Sequence, residues 1–258
     1  MELSVKGLRV LITAGASGIG FSVAKSFLEN GASVHVCDVN EQFLAECKKE
    51  LPDIGMTLCD VSDAAQVEQL FIDADAHLGG LDVLVNVAGI AGPTARVEDV
   101  MPDEWDKTIA VDLNGQFYCA RLAIPRIKKS GGGSIINFSS CSGLMGSPFR
   151  SPYCASKWAL IGLTKTMAME LGEFGIRVNA MCPGIVEGER MNRVIKKDAE
   201  LKGITEDEVI EMYKQSISMR TFVKPEEVAY MILFLCSSMG KTISGQALGI
   251  DGYIEILR

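Results

Sequence analysis

In SPYCASK, residues 151–157, a tyrosine stands four positions before a lysine. In a helix that spacing puts both side chains on one face, close enough to interact. Free tyrosine titrates near about 10 and free lysine near about 10.4, so apart neither is an effective acid or base at neutrality. Together they differ, because an ammonium stabilises a phenolate and draws the tyrosine pKa down toward working pH. A phenol so tuned can take a proton from an alcohol or return one to a ketone. Of the five tyrosines only Tyr153 has lysine at i+4. A buried tyrosine beside an unrelated lysine would show the same spacing, so the pair needs support from the rest of the chain.

That support lies at the ends of apolar runs. After residues 8–12 comes TAGASGIG, where Gly15, Ser17, Gly18, Ile19 and Gly20 open a helical pattern. Glycines let the backbone approach a pyrophosphate, whose charge the helix N-terminus favours. The next run ends in Asp38, an acid placed to accept both ribose hydroxyls of an adenosine and to repel a 2′-phosphate. No arginine or lysine stands in the turn or just after Asp38, which points to NAD rather than NADP. A third run ends in CDVSD, with Asp60 placed to bond an adenine amino group and Val61 to pack on its ring. The fourth ends in NVAG, where Asn86, Ala88 and Gly89 permit close backbone approach.

The elements that carry these residues alternate. Apolar strand-like runs at 8–12, 33–38, 54–60, 82–89, 133–140, 176–183 and 246–251 are separated by amphipathic segments near 18–30, 41–51, 63–78, 103–129, 152–173 and 225–237. Continuous apolar strands between helices indicate a parallel sheet covered on both faces. The expected fold is α/β, a single doubly wound Rossmann-type domain over residues 1–258 with a seven-stranded parallel sheet. Residues 187–220 break the rhythm as a long charged insertion, expected to form a helical lid over the substrate.

Bulk properties exclude other classes. The 258 residues carry a formal charge of −8 and a pI of about 4.9, which argues against nucleic acid or an anionic membrane as a partner. No apolar run is long enough to span a bilayer, and the N-terminus lacks the apolar region of a signal peptide. Eight cysteines occur without a CxxC pair. They are expected to be reduced core residues of a cytoplasmic protein rather than a disulfide framework or a metal site.

Taken together, TAGASGIG, Asp38, CDVSD, NVAG, Ser140, YCASK and CPGIV resemble the short-chain dehydrogenase/reductase (SDR) family in order and spacing across essentially the whole chain. The resemblance implies that Ser140, Tyr153 and Lys157 are catalytic. It also implies that Pro183, Gly184 and Val186 adjoin the nicotinamide carboxamide, and that Tyr153 and Lys157 contact the cofactor as well. Hydride would pass between a carbinol carbon and the cofactor. Ser140 would steady the charge on the substrate oxygen, and no metal is implied. The family assembles mostly as tetramers, which here would use the helices near 103–129 and 152–173, and the C-terminal DGYIEILR could pack across another interface.

Two departures from the family pattern stand out. Ala14 occupies the turn's usual first glycine, a change expected to be tolerated with a negative φ. Asp112 stands where the family has an asparagine whose backbone carbonyl holds a water beside the lysine; the same carbonyl is expected to keep that role here. Arg150 and Arg190 are candidates to anchor an anionic substrate, against surface salt bridges with Glu187 or Glu189. The expected substrate is a small hydroxy compound, a polyol or sugar, or an anionic hydroxy acid, with a steroid-like cyclic alcohol also open. A 3-oxoacyl thioester reductase and a catalytically silent NAD(H)-binding regulator remain the alternatives.

Overall fold

The structure is a computed structural model describing residues 4–254. All seven expected strands are present: β1 (Arg9–Thr13), β2 (Ser33–Asp38), β3 (Gly55–Leu58), β4 (Val83–Asn86), β5 (Gly133–Phe138), β6 (Ile176–Pro183) and β7 (Ala247–Ile250). They form one parallel sheet in the order β3-β2-β1-β4-β5-β6-β7. The order reverses between β1 and β4, so the loops leaving their carboxyl ends diverge and open a crevice there.

Burial explains the uninterrupted apolar strands. β4 is buried throughout and β5 and β6 nearly so, whereas the edge strands β3 and β7 are mostly half-exposed. One core layer packs α1 (Gly18–Glu29), α2 (Glu41–Glu50) and α9 (Pro225–Cys236) against the sheet. The opposite layer packs α3 (Ala64–Leu78), α5 (Gly115–Lys129) and α6 (Ser151–Leu171). Asn40 and Asp63 cap α2 and α3 by accepting two backbone N–H groups each, the local chemistry that starts a helix sharply after a strand.

The single helix expected near 103–129 is divided. α4 (Pro102–Ile109) runs into a π turn at Ala110–Asn114 before α5 begins. The wider turn inserts an extra residue into the helical ladder and places Asp112 in the interior, fully buried.

The insertion forms α7 (Glu189–Lys202) and α8 (Glu206–Gln215). Beneath its charged outer faces lies a separate small core including Ile195, Ala199, Val209, Ile217 and Phe222. Cys141, next to Ser140, belongs to the same core. The insertion is therefore built onto the loop after β5 rather than projecting into solvent. No helix among the described residues is long and apolar enough to cross a membrane. All eight cysteines are free thiols, seven of them buried. Residues 255–258 of the C-terminal DGYIEILR lie outside the described residues.

Candidate active site

At the carboxyl end of β1 the chain turns tightly. Ala14 has φ +48, in the left-handed region, which corrects the expectation of a negative angle. The turn imposes the conformation that glycine adopts freely and alanine holds at a cost. The backbone of Gly20 lies against that turn so closely that a Cβ would sit 2.0 Å from the Ala14 carbonyl oxygen. The Thr13 hydroxyl accepts the Ala88 N–H at 3.0 Å and so joins the turn to the end of β4. α1 starts at Gly18 with no side-chain cap from Ser17, leaving its first-turn N–H groups for an anion.

Asp38 is buried at the end of β2 and accepts the Asn40 N–H at 3.1 Å. Burial pushes its carboxyl upward, while hydrogen bonds from the backbone of Asn40, Ala16 and Val39 pull it back. Asp60 is held in a turn by the Ser62 N–H and hydroxyl at 2.9 and 2.7 Å, and Val61 packs against Gly115. These residues fit a dinucleotide: an uncapped helix start, a close-approach turn and an acid line one crevice. Asn86 ends β4. Its side chain is fully buried and donates to the Gln116 carbonyl at 3.2 Å and to Asn137 Oδ1 at 3.1 Å. Its side chain therefore ties the central strands together.

On the other side of the crevice, Ser140 begins the short turn Cys141–Gly143. Its Oγ accepts the Ser142 N–H at 3.1 Å and lies 3.7 Å from Cys141 Sγ. Half-buried Tyr153 and buried Lys157 lie on the first turns of α6. The Lys157 Nζ is 5.4 Å from the Tyr153 ring centroid and donates to the Phe138 carbonyl at 3.0 Å. It also lies 3.5 Å from Asp112 Oδ2, the two side chains being 4% and 0% exposed. A Cβ on Gly89 would meet Lys157 Nζ at 3.2 Å and Asp112 Oδ1 at 3.3 Å. The end of β4, the π turn and α6 thus converge on one buried ammonium. Pro183 ends β6, Gly184 donates to the Ile250 carbonyl at 2.8 Å, and Val186 bridges to Val223.

Arg150 donates to the Ala91 carbonyl at 3.3 Å, and its charge acts on Asp198 and Tyr213 of the insertion. Among the described residues Arg150 forms no ion pair, with Asp198 or with Glu187 or Glu189. Glu189 instead approaches Arg193 at 3.8 Å, with both side chains exposed, and Arg190 is exposed beside it. Among the described residues no group of three or more His, Cys, Asp or Glu could hold a metal.

Two buried polar residues escaped the sequence reading. Gln116 accepts the Phe138 N–H at 3.0 Å and donates to the Phe138 and Asp112 carbonyls at 3.0 and 3.2 Å. The Ser139 hydroxyl donates to the Lys157 carbonyl at 2.7 Å. Gln116 carried one usable signal, a lone amide following glycine in a largely apolar helix.

Fold and crevice define a dinucleotide-binding α/β oxidoreductase. A family profile described as Enoyl-(Acyl carrier protein) reductase matches residues 13–253. The chain is 34% identical over 249 residues to a D-beta-hydroxybutyrate dehydrogenase of Rhizobium meliloti, covering 94% of this chain and 96% of that one. It is 36% identical over 258 residues to the 3-oxoacyl-(acyl-carrier-protein) reductase FabG of Thermotoga maritima, covering 98% and 100%. The solved L-sorbose reductase of Gluconobacter frateurii, complexed with NADPH and L-sorbose, superposes with a TM-score of 0.93 at 25% identity, over 99% of each chain. The chain belongs to the short-chain dehydrogenase/reductase family. It is an oxidoreductase of that family, whose members bind NAD or NADP.

Proposed function

We propose that this protein is an NAD-dependent dehydrogenase that interconverts a secondary alcohol and its ketone. The observation that carries the reading is the buried Lys157 ammonium 5.4 Å from the Tyr153 ring, close against Gly89 at the end of β4. When bound, the cofactor supplies a hydride acceptor or donor at its nicotinamide ring. Tyr153 takes the hydroxyl proton as the alcohol is oxidised and returns one when the ketone is reduced. The Lys157 cation steadies the negative charge that gathers on the Tyr153 oxygen during transfer and offers an N–H to the cofactor ribose. Ser140, its Oγ already receiving a backbone N–H, donates its hydrogen to the substrate oxygen. Gly15, Ser17, Gly18, Ile19 and Gly20 hold the pyrophosphate, Asp38 the adenosine ribose, and Asp60 and Val61 the adenine. Pro183, Gly184 and Val186 border the nicotinamide.

Asp38, followed by Val39 and Asn40 rather than a basic residue, supports NAD over NADP. α7 and α8 serve as the lid. Arg150, in reach of the crevice beside Tyr153, supports a small hydroxy acid as substrate, in keeping with the hydroxybutyrate dehydrogenase relatives. Asp198 offsets part of its charge, so a polyol or sugar is the competing class. Exposed Phe117, Trp158 and Met169 on α5 and α6 support assembly of copies through those helices, as a tetramer. Eight free thiols support a reducing compartment, the cytoplasm.

A panel of 3-hydroxy acids, 2-hydroxy acids, sugars and cyclic alcohols, assayed with NAD and NADP for reduced-cofactor absorbance, tests the reading. Turnover with NAD and a hydroxy acid is expected, with at least tenfold lower kcat/KM with NADP. Preference for NADPH and a 3-oxoacyl thioester would replace it with the reductase reading.

A further inference from the structure

Asp112 is a fully buried carboxylate whose two oxygens are treated differently. Its Oδ1 accepts the Ile90 N–H at 2.7 Å. Its Oδ2 is buried without a hydrogen-bond partner and lies 3.5 Å from Lys157 Nζ. An uncharged acid there would leave both the oxygen and the ammonium poorly matched, because a buried cation without a counter-charge is strongly disfavoured. The backbone carbonyl of Asp112 already receives the Gln116 amide at 3.2 Å. The side chain of Asp112 thus addresses Lys157 directly, whatever its carbonyl, with a second lone pair, holds in addition.

Resting on the proposed role of Tyr153, we propose that Asp112 is the ionised counter-charge of Lys157 and sets the pH at which Tyr153 works as a base. The groups that face the pair are few. Tyr153 lies one turn back on α6; the loop after β4 contributes the Ile90 N–H and Gly89; β5 contributes the Phe138 carbonyl. None of these besides Tyr153 titrates. The field at Tyr153 is therefore that of an ion pair rather than of a lone cation, and a phenolate gains less from the pair than from the ammonium alone. Gln116 is a positioning residue in this arrangement. By bonding the Phe138 N–H and carbonyl and the Asp112 carbonyl, it fixes the π turn against the end of β5, from which Lys157 also hangs.

Asp112→Asn keeps an acceptor for the Ile90 N–H and removes the charge. The acid limb of the pH profile of kcat/KM for alcohol oxidation should then move down by about one pH unit, whatever the height of its plateau. A second measurement does not need turnover. Thermal unfolding of Lys157→Met should fall by roughly 10 °C, because it strands a buried carboxylate, and Asp112→Asn/Lys157→Met should regain more than half of that loss. An acid limb that stays in place, or Tm losses that simply add, overturns the proposal. If the wild-type protein oxidises no alcohol, the proposed function fails and the unfolding cycle decides the ion pair alone.

Discussion

The two sides of the crevice are built by different means. On the β1–β4 side, function rests on backbone: a turn too tight for a Cβ at Gly20, an uncapped α1, and acids at strand ends. On the insertion side it rests on side chains reaching between elements, such as Arg150 to the Ala91 carbonyl at 3.3 Å and Tyr213 to Asp198 at 2.8 Å. Backbone demands restrict residue type strongly, because only glycine removes a Cβ. Side-chain contacts can be met in many ways, so on the proposed function one side would bind the cofactor the family shares while the other is free to choose the substrate.

The largest test of that contrast is Gly20→Val, whose side chain cannot coexist with the Ala14 carbonyl. NADH affinity, followed by fluorescence, should fall by more than about 100-fold. Retained affinity would show that the turn does not hold the pyrophosphate. Asp38→Ser with Val39→Arg should move the ratio of kcat/KM for NAD over NADP by about 100-fold toward NADP. An unchanged ratio would place cofactor choice elsewhere.

A stability test follows on the same side. His35 is buried, and burial, reinforced by the charge of nearby His77, lowers its pKa to about 4, with Asp73 opposing. The unfolded chain binds that proton near about 6.5. The native state therefore takes it up less readily, and stability present above that pH is lost as pH falls toward 4. Denaturant unfolding should show about 3 kcal/mol of such loss in the wild type that is absent from His35→Gln. Equal losses would remove His35 as the cause.

Smaller effects are expected across the crevice. Tyr213→Phe removes the hydrogen bond joining α8 to α7, and KM for the alcohol should rise about fivefold with NADH affinity unchanged. A change confined to NADH would move these helices out of the lid role. Ala14→Gly should relieve the left-handed alanine and stabilise the protein by about 1 kcal/mol, read as a Tm rise of about 2–4 °C. A fall would show that the turn prefers the methyl.

The same division governs what the sequence revealed. The strand ends, and the places of the glycines and Asp38 upon them, were legible because parallel βα units repeat in a fixed pattern. The π turn was not, since an amphipathic pattern at 3.6 residues per turn carries no mark of one inserted residue. The φ of Ala14 was misjudged for a related reason: the turn dictates it, and the residue merely bears it. The buried side-chain bonds of Asn86 were not legible either, because strand-end position alone does not reveal which way a side chain turns. α7 and α8 were legible as an insertion, but the carbonyl that Arg150 bonds, that of Ala91, lies 59 positions away in the chain, a pairing only the fold can bring about.

The most direct measurement is Tyr153→Phe, which keeps the ring and removes the phenolic oxygen. Oxidation kcat/KM is expected to fall about 1,000-fold while NADH binds as in the wild type. Turnover within tenfold of the wild type, with NADH still bound, would contradict the assignment of proton transfer to this phenol.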